Sequence, residues 1–383
     1  MSTPNVADRS AEAQNSFKPG LEGVVAAETR LSHVDGQKGE LIIGGFPLEE
    51  LAGDVTFEET VLLLWRGDLP NQSDLVAFRQ QLAGLRALPE AVVTLLAAAA
   101  QQRLPAMTAL RMAAGALDLD SHSEEDNFQQ AARLLARLPT IVATYWRLLQ
   151  NQTPIEPDPA LNHAANYLYM LTGERPTDAQ VRGLETYLNT VIDHGLNAST
   201  FAARVIIATD TDLTSALVGA LGALKGPLHG GAPGPALDMV FDIGQADRAE
   251  AYLRAKLDRG ERLMGFGHRI YKVRDPRAEM LSQAAEKMFR AGGGDLALYT
   301  LVKTVEETAV KLLAEYKPGR NLQTNVEFYT ALLLHGLGLE TDLFTPTFAI
   351  SRAAGWLAHC FEQQATGRLI RPQSRYIGPI RHR

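Results

Sequence analysis

His194, His229, His268, Glu327, Arg277, Arg352 and Arg371 fall in predicted loops, at predicted helix ends or among apolar residues. Their types suit one another chemically. The planar forks of three arginines can pair with a substrate bearing two carboxylates. A carboxylate and neutral histidines can remove a carbon-bound proton and stabilise the oxygen anion that results. That combination is enolate chemistry. Taken singly, Glu327 is equally explained as a helix N-terminal carboxylate and Arg352 as half of a buried ion pair. Only the set argues for function.

The densest stretch is Leu263–Arg277, LMGFGHRIYKVRDPR. Gly265 and Gly267 permit positive φ or close approach of backbone to a ligand, and Pro276 fixes a turn beside Arg277. His268, between these features, can act near neutral pH. The stretch reads as a site for an anionic small molecule. His229 lies in PLHGGAPGP, turn residues that follow a helix running out at Lys225 and Gly226, and so reads as ligand-facing. His194, near Asn197, is by default structural. Zinc held by three scattered histidines is disfavoured because the arginines repel a bare cation, and no HExxH occurs. No GxSxG elbow or Walker loop supports a serine hydrolase or nucleotide kinase. GFGHRI lacks the third glycine of a dinucleotide fingerprint and follows no clear strand, so NAD has little support.

The elements that must carry these residues are almost all helical. From Val24 to Ile43, VVAAETRLSHV, a DGQKG turn and ELII predict a small β-hairpin. After it, Thr56 and Glu59 resemble a capping box before VLLLW. Pro70, Pro89, Pro105, Pro139 and the run Pro154–Pro159 are read as separators of apolar helical blocks. The fold class is all-α. Small residues in Thr214–Leu224 predict close helix packing, and Asn325 with Glu327 marks the start of an apolar helix. A more charged composition after the His229 loop suggests a second, smaller domain.

Length and composition agree with two domains: 383 residues, 46% hydrophobic, can fill both cores. A net charge of -7 and a pI near 5.8 argue against a nucleic-acid or anionic-membrane binder. The single Cys360 excludes an internal disulfide and a multi-cysteine metal site, and is expected free and buried, as in a reducing cytosol. Met1–Lys18 is polar and reads as a mobile tail, not a signal peptide. The apolar run Ala91–Ala100 is too short to span a bilayer. A cytoplasmic location is expected.

Four motifs, in order and spacing, resemble the citrate synthase family: GPLHGGA at Gly226–Ala232, GFGHRIYKVRDPR at Gly265–Arg277, NVEFY at Asn325–Tyr329 and FAISRAAGW at Phe348–Trp356. The likeness runs from about Gly20 to RLIRPQSRYIGP at Arg368–Pro379, and the short N-terminus resembles the dimeric form. It implies a helical homodimer with a tail at 1–18, a large domain at 19–230 plus 331–383, and a small domain at 231–330. The domains would close over oxaloacetate and then acetyl-CoA, with no permanently bound cofactor and no metal. His194, His268, Arg277 and Arg352 would bind oxaloacetate, with Arg371 reaching in from the partner. His229 would hydrogen-bond the thioester oxygen, Glu327 would remove the methyl proton, and His268 would polarise the ketone and protonate the alkoxide. Met264, Gly265, Phe266 and Gly267 resemble the segment whose backbone contacts the CoA adenine, and Lys272 and Arg320 suit its phosphates.

The chain departs from the family pattern in three places. Glu327 stands where aspartate is usual, Val191 replaces the first histidine of HxDH, and Pro233–Gly234 replaces an Asn-Glu. One extra carbon moves a carboxylate by about 1.5 Å, and a misplaced base costs roughly 100-fold. These departures bear on the acyl preference more than on the reaction class. The rival readings are a 2-methylcitrate synthase using propionyl-CoA and an inactive paralogue that binds metabolites.

Overall fold

The computed structural model describes residues 17–120, 125–230, 234–268, 270–293 and 295–381. Most of the expected tail, together with Gly231, Ala232 and Pro233 of the His229 loop, lies outside the described residues. Phe17 and Lys18 are exposed.

Strands β1 (Ser32–Asp35) and β2 (Glu40–Ile43) pair antiparallel, Ser32 opposite Ile43 and Asp35 opposite Glu40. The expected hairpin is joined by a third strand, β3 (Phe46–Pro47), antiparallel to β2. Gly44 and Gly45 both take positive φ, 56° and 92°, so the chain reverses at once. The Gly-Gly pair was the signal for that strand. The β1–β2 turn packs on the loop that follows His268. A Cβ on Gly36 would lie 2.3 Å from the Ile270 carbonyl oxygen, and the Lys272 N–H donates to the Gly36 carbonyl at 2.8 Å.

All other regular structure among the described residues is helical. Helix α1 (Leu48–Leu51) precedes α2 (Phe57–Arg66), where the predicted capping box forms and the Thr56 N–H donates to Glu59 Oε2 at 2.7 Å. Pro89 and Pro105 are N-cap residues of α4 (Glu90–Gln101) and α5 (Ala106–Gly115), which follow α3 (Gln72–Leu85). Pro139 does not separate helices. It sits inside α6 (Asn127–Leu149), where every residue from Ala131 to Tyr145 is buried. Packing on all sides there outweighs the roughly 3 kcal/mol cost of an interior proline. Next come α7 (His163–Thr172), α8 (Asp178–Val191), α9 (Ala198–Ile207) and α10 (Leu213–Leu224). The small residues of α10 let α9 approach closely: a Cβ on Gly219 would meet the Ile206 side chain at 2.0 Å.

The remaining helices are α11 (Gly234–Ile243), α12 (Ala249–Asp258), α13 (Pro276–Met288), α14 (Leu296–Tyr316), α15 (Val326–Gly336) and α16 (Phe344–Thr366). Pro276, which fixes the turn beside Arg277, opens α13 at its first position. Helix α16 packs against α2, α6, α8, α9 and α10, while α13 packs on both α8 and α15. Gly355 of α16 would place a Cβ 2.2 Å from the Ile192 carbonyl oxygen, so glycine lets the Ile192–Asp193 backbone lie flush on that helix. Cys360 is free and buried. Among the described residues no single helix is long and apolar enough to cross a membrane.

Gly36→Ala tests the sheet's contact with the His268 loop. The added carbon meets backbone, which cannot rotate away, so thermal unfolding should show a loss of about 1–3 kcal/mol. An unchanged Tm would contradict the contact.

Candidate active site

A cavity of about 850 Å³ brings together His194, His229, His268, Arg277, Glu327 and Arg352. Arg371 is exposed on the C-terminal arm and does not line the cavity of its own chain.

Arg277 lies in the first turn of α13, whose N-cap is Asp275. Asp275 Oδ1 accepts the backbone N–H and Nε of Arg277, each at 3.0 Å, and Oδ2 accepts Nη2 at 2.8 Å. Burial alone would depress this guanidinium; the Asp275 charge reverses the effect and holds its pKa above the ordinary value. Oδ2 also accepts the Val326 N–H at 3.2 Å, tying the start of α15 to the start of α13.

Arg352, buried on α16, donates Nε to the Val191 carbonyl at 2.6 Å and lies 4.5 Å above the Phe348 ring. Because the contact uses the Val191 carbonyl, it does not need a histidine at that position. Arg352 forms no ion pair with a carboxylate of the described residues, and burial pulls its pKa down to about 10. A buried cation without its own carboxylate suits an anionic ligand.

The three histidines are held neutral. His194 follows the wholly buried Asp193, which accepts hydrogen bonds from His359 Nε2 at 3.1 Å, Ser32 Oγ and the Gly195 N–H. His194 Nε2 lies 3.1 Å from the Tyr271 hydroxyl, and burial followed by the charges of Arg277 and Arg352 lowers its pKa well below the ordinary value. His268 Nδ1 accepts the N–H groups of Ile270 at 3.1 Å and Tyr271 at 3.0 Å. These two N–H donors on Nδ1 assign the proton to Nε2, against the single longer approach of Arg277 Nη2 to that nitrogen at 3.4 Å, and burial with the nearby Arg277 charge brings its pKa to about 4. His229 Nε2 accepts the Ser199 N–H at 3.3 Å and lies 2.7 Å from the Ser199 hydroxyl, which accepts the Trp356 indole N–H. That leaves the His229 proton on Nδ1; burial depresses this pKa too.

Glu327 occupies the first turn of α15, where the Asn325 side chain accepts its N–H at 3.0 Å. Asn325 also donates Nδ2 to the Gly267 carbonyl at 2.9 Å, and its own N–H to the Gly265 carbonyl at 3.0 Å. Gly265, at φ +84°, would bring a Cβ within 2.8 Å of the Phe328 side chain. Burial raises the Glu327 pKa, with Arg277 pulling the other way. A carboxylate so placed is a stronger base than an exposed one.

None of Met264, Gly265, Phe266, Gly267, Lys272 and Arg320 lines the cavity. Gly265 and Gly267 are partly engaged with residues 323–325, and Lys272 and Arg320 are exposed on loops joined by a 2.5 Å bond from Asn321 Nδ2 to the Lys272 carbonyl. Sequence reasoning missed Asp275, Tyr271, Ser199 and the cavity-lining segment Gly20–Ala26, of which Leu21 and Val24 are apolar wall. Asp275 alone carried a signal, as an N-cap type directly before proline. Among the described residues no group of three or more His, Cys, Asp or Glu side chains is placed to hold a metal ion.

The fold and this cavity define an enzyme of the citrate synthase type. Residues 20–373 match the family described as "Citrate synthase, C-terminal domain". A citrate synthase of Haloferax volcanii is 42% identical over 371 residues, covering 94% of this chain and 96% of that protein. A 2-methylcitrate synthase of Mycobacterium tuberculosis is 38% identical, covering 99% and 93%. A citrate synthase from Thermoplasma acidophilum, solved with carboxymethyl coenzyme A and oxaloacetate, superposes with a TM-score of 0.84 at 29% identity, covering 96% of this chain and 98% of that one. The chain belongs to the citrate synthase family of acyltransferases.

Ring nitrogen NMR should find His268 as the Nε2–H tautomer, titrating near 4 and not near the ordinary 6.5. A doubly protonated ring at pH 6 would contradict the assignment.

Proposed function

We propose that this protein condenses acetyl-CoA with oxaloacetate and hydrolyses the resulting thioester to citrate and CoA. The observation that carries the reading is one cavity holding a half-buried carboxylate of raised pKa, three neutral histidines and two buried arginines. Arg277 and Arg352 clamp the oxaloacetate carboxylates, with His194 beside them. Glu327 takes a methyl proton from acetyl-CoA while His229 donates its Nδ1–H to the thioester oxygen. The enolate carbon then bonds to the ketone carbon, and the carbonyl electron pair moves to oxygen. His268, which has polarised that oxygen through Nε2–H, supplies its proton. Water finally cleaves the citryl thioester, releasing CoA. CoA is a co-substrate here, and no resident cofactor or metal is required.

Met264–Gly267, Lys272 and Arg320 contact CoA once residues 231–330 close onto 19–230 and 331–383, which excludes water from the enolate. The exposed C-terminal arm carries Arg371 into the site of a second copy, making a homodimer. The single free cysteine suits a cytoplasmic enzyme.

The 2-methylcitrate reading is favoured by the mycobacterial relative, since one methylene is worth only about 1–3 kcal/mol of discrimination. Initial rates of CoA release should be higher with acetyl-CoA than with propionyl-CoA; the reverse order would transfer the assignment to the rival. Binding of both ligands without CoA release from either thioester would point to the inactive metabolite-binding paralogue.

Glu327→Gln should abolish turnover and leave oxaloacetate affinity largely intact, as judged by calorimetry beside a CoA-release assay. In the parent enzyme the rate should rise with pH as Glu327 ionises, with the acid limb displaced upward from the ordinary carboxylate range because burial raises this pKa. Equal loss of binding and turnover in the variant would remove Glu327 from the role of base.

A further inference from the structure

Tyr187 lies on α8 one turn before Val191, and both line the cavity. Its side chain is completely buried, yet its hydroxyl has no hydrogen-bond partner. Every other buried tyrosine among the described residues has one: Tyr145 with the Leu104 carbonyl, Tyr167 with Thr347, Tyr271 with His194, Tyr299 with Glu286 and Tyr329 with Glu306. Tyr187 is also the one cavity-lining side chain whose buried polar atom is left unsatisfied in that set. A phenol removed from water without a replacement bond is costly, and such groups in native proteins call for an explanation.

Position supplies it. Residues four apart share a face of a helix, so Tyr187 and Val191 look the same way. The Val191 carbonyl holds Nε of Arg352, the cavity cation with no carboxylate partner among the described residues. Arg352 lies close enough for its positive charge to act at the Tyr187 hydroxyl. Burial pushes the phenol pKa upward, so the hydroxyl stays protonated and remains a donor. An O–H donated to a carboxylate is a charge-assisted bond, stronger than one to a neutral acceptor.

We propose that Tyr187 is a further substrate-binding residue, donating its hydroxyl to the substrate carboxylate that Arg352 clamps. The inference rests on the reading of the substrate as oxaloacetate. The guanidinium supplies charge and the phenol supplies direction, which together select a carboxylate over a neutral group at this end of the cavity.

Tyr187→Phe removes the hydroxyl and keeps the ring. In the full-length variant, calorimetric Kd and steady-state KM for oxaloacetate should rise about tenfold or more, with KM for acetyl-CoA unchanged. The ligand-free Tm should hold or increase, because the variant no longer buries an unpaired hydroxyl. Wild-type oxaloacetate affinity in the variant would overturn the proposal while leaving the enzyme reading intact. A lowered Tm with both KM values raised together would also overturn it, in favour of a purely structural tyrosine. Failure of the parent protein itself to bind oxaloacetate would sink both readings.

Discussion

The buried carboxylate of Asp275 is the interaction on which the site depends. It orients the Arg277 fork, caps α13 and accepts the first N–H of α15, the helix that carries Glu327. One side chain therefore sets the separation of a cation and a base contributed by two different helices. The arrangement is stable because each charge is compensated where it is buried: Asp275 satisfies Arg277 and a helix N-terminus together. Arg352 is the counterexample, held by a backbone carbonyl and an aromatic face without a carboxylate. The cavity is left with a positive bias that a dianionic ligand would neutralise.

That bias also sets protonation states. Positive charge and burial act in the same direction on a histidine, and both keep it neutral. They act in opposite directions on a carboxylate, where burial raises the pKa and an arginine lowers it. Glu327 thus ends above the ordinary range but within reach of ionisation. Backbone N–H groups complete the arrangement by fixing which nitrogen of His268 and His229 carries the proton. The two rings are consequently built as donors from opposite nitrogens, a distinction no composition or spacing reveals.

Most of the catalytic set was legible because its members break local rules: a histidine among turn glycines, an arginine in an apolar helix, an acid just inside a helix start. The all-α class was legible from the same periodicity that buries α16. Pro139 misled, since its cost is local while the compensation comes from helices distant in sequence. Tyr271, Ser199 and residues 20–26 were invisible for the same reason: ordinary residue types acquire their role only through tertiary placement. Glu327 was readable as a carboxylate, but its raised pKa depends on surroundings that the local sequence does not contain.

The sheet near the N-terminus has a further consequence, in the order of assembly. Its Gly36 turn backs the loop at Ile270, Ser32 meets Asp193, and the Arg30 N–H donates to Glu362 across 332 positions of chain. Contacts of such separation form late, because the intervening chain must be ordered or looped first. During synthesis the sheet emerges early, while Ser32 waits for Asp193, Gly36 for Ile270 and Arg30 for Glu362. Residues behind the cavity are thus buttressed by strands made early, while Arg352 comes from a helix made late, so a polypeptide stopped short of α16 lacks both Arg352 and the Glu362 anchor for Arg30.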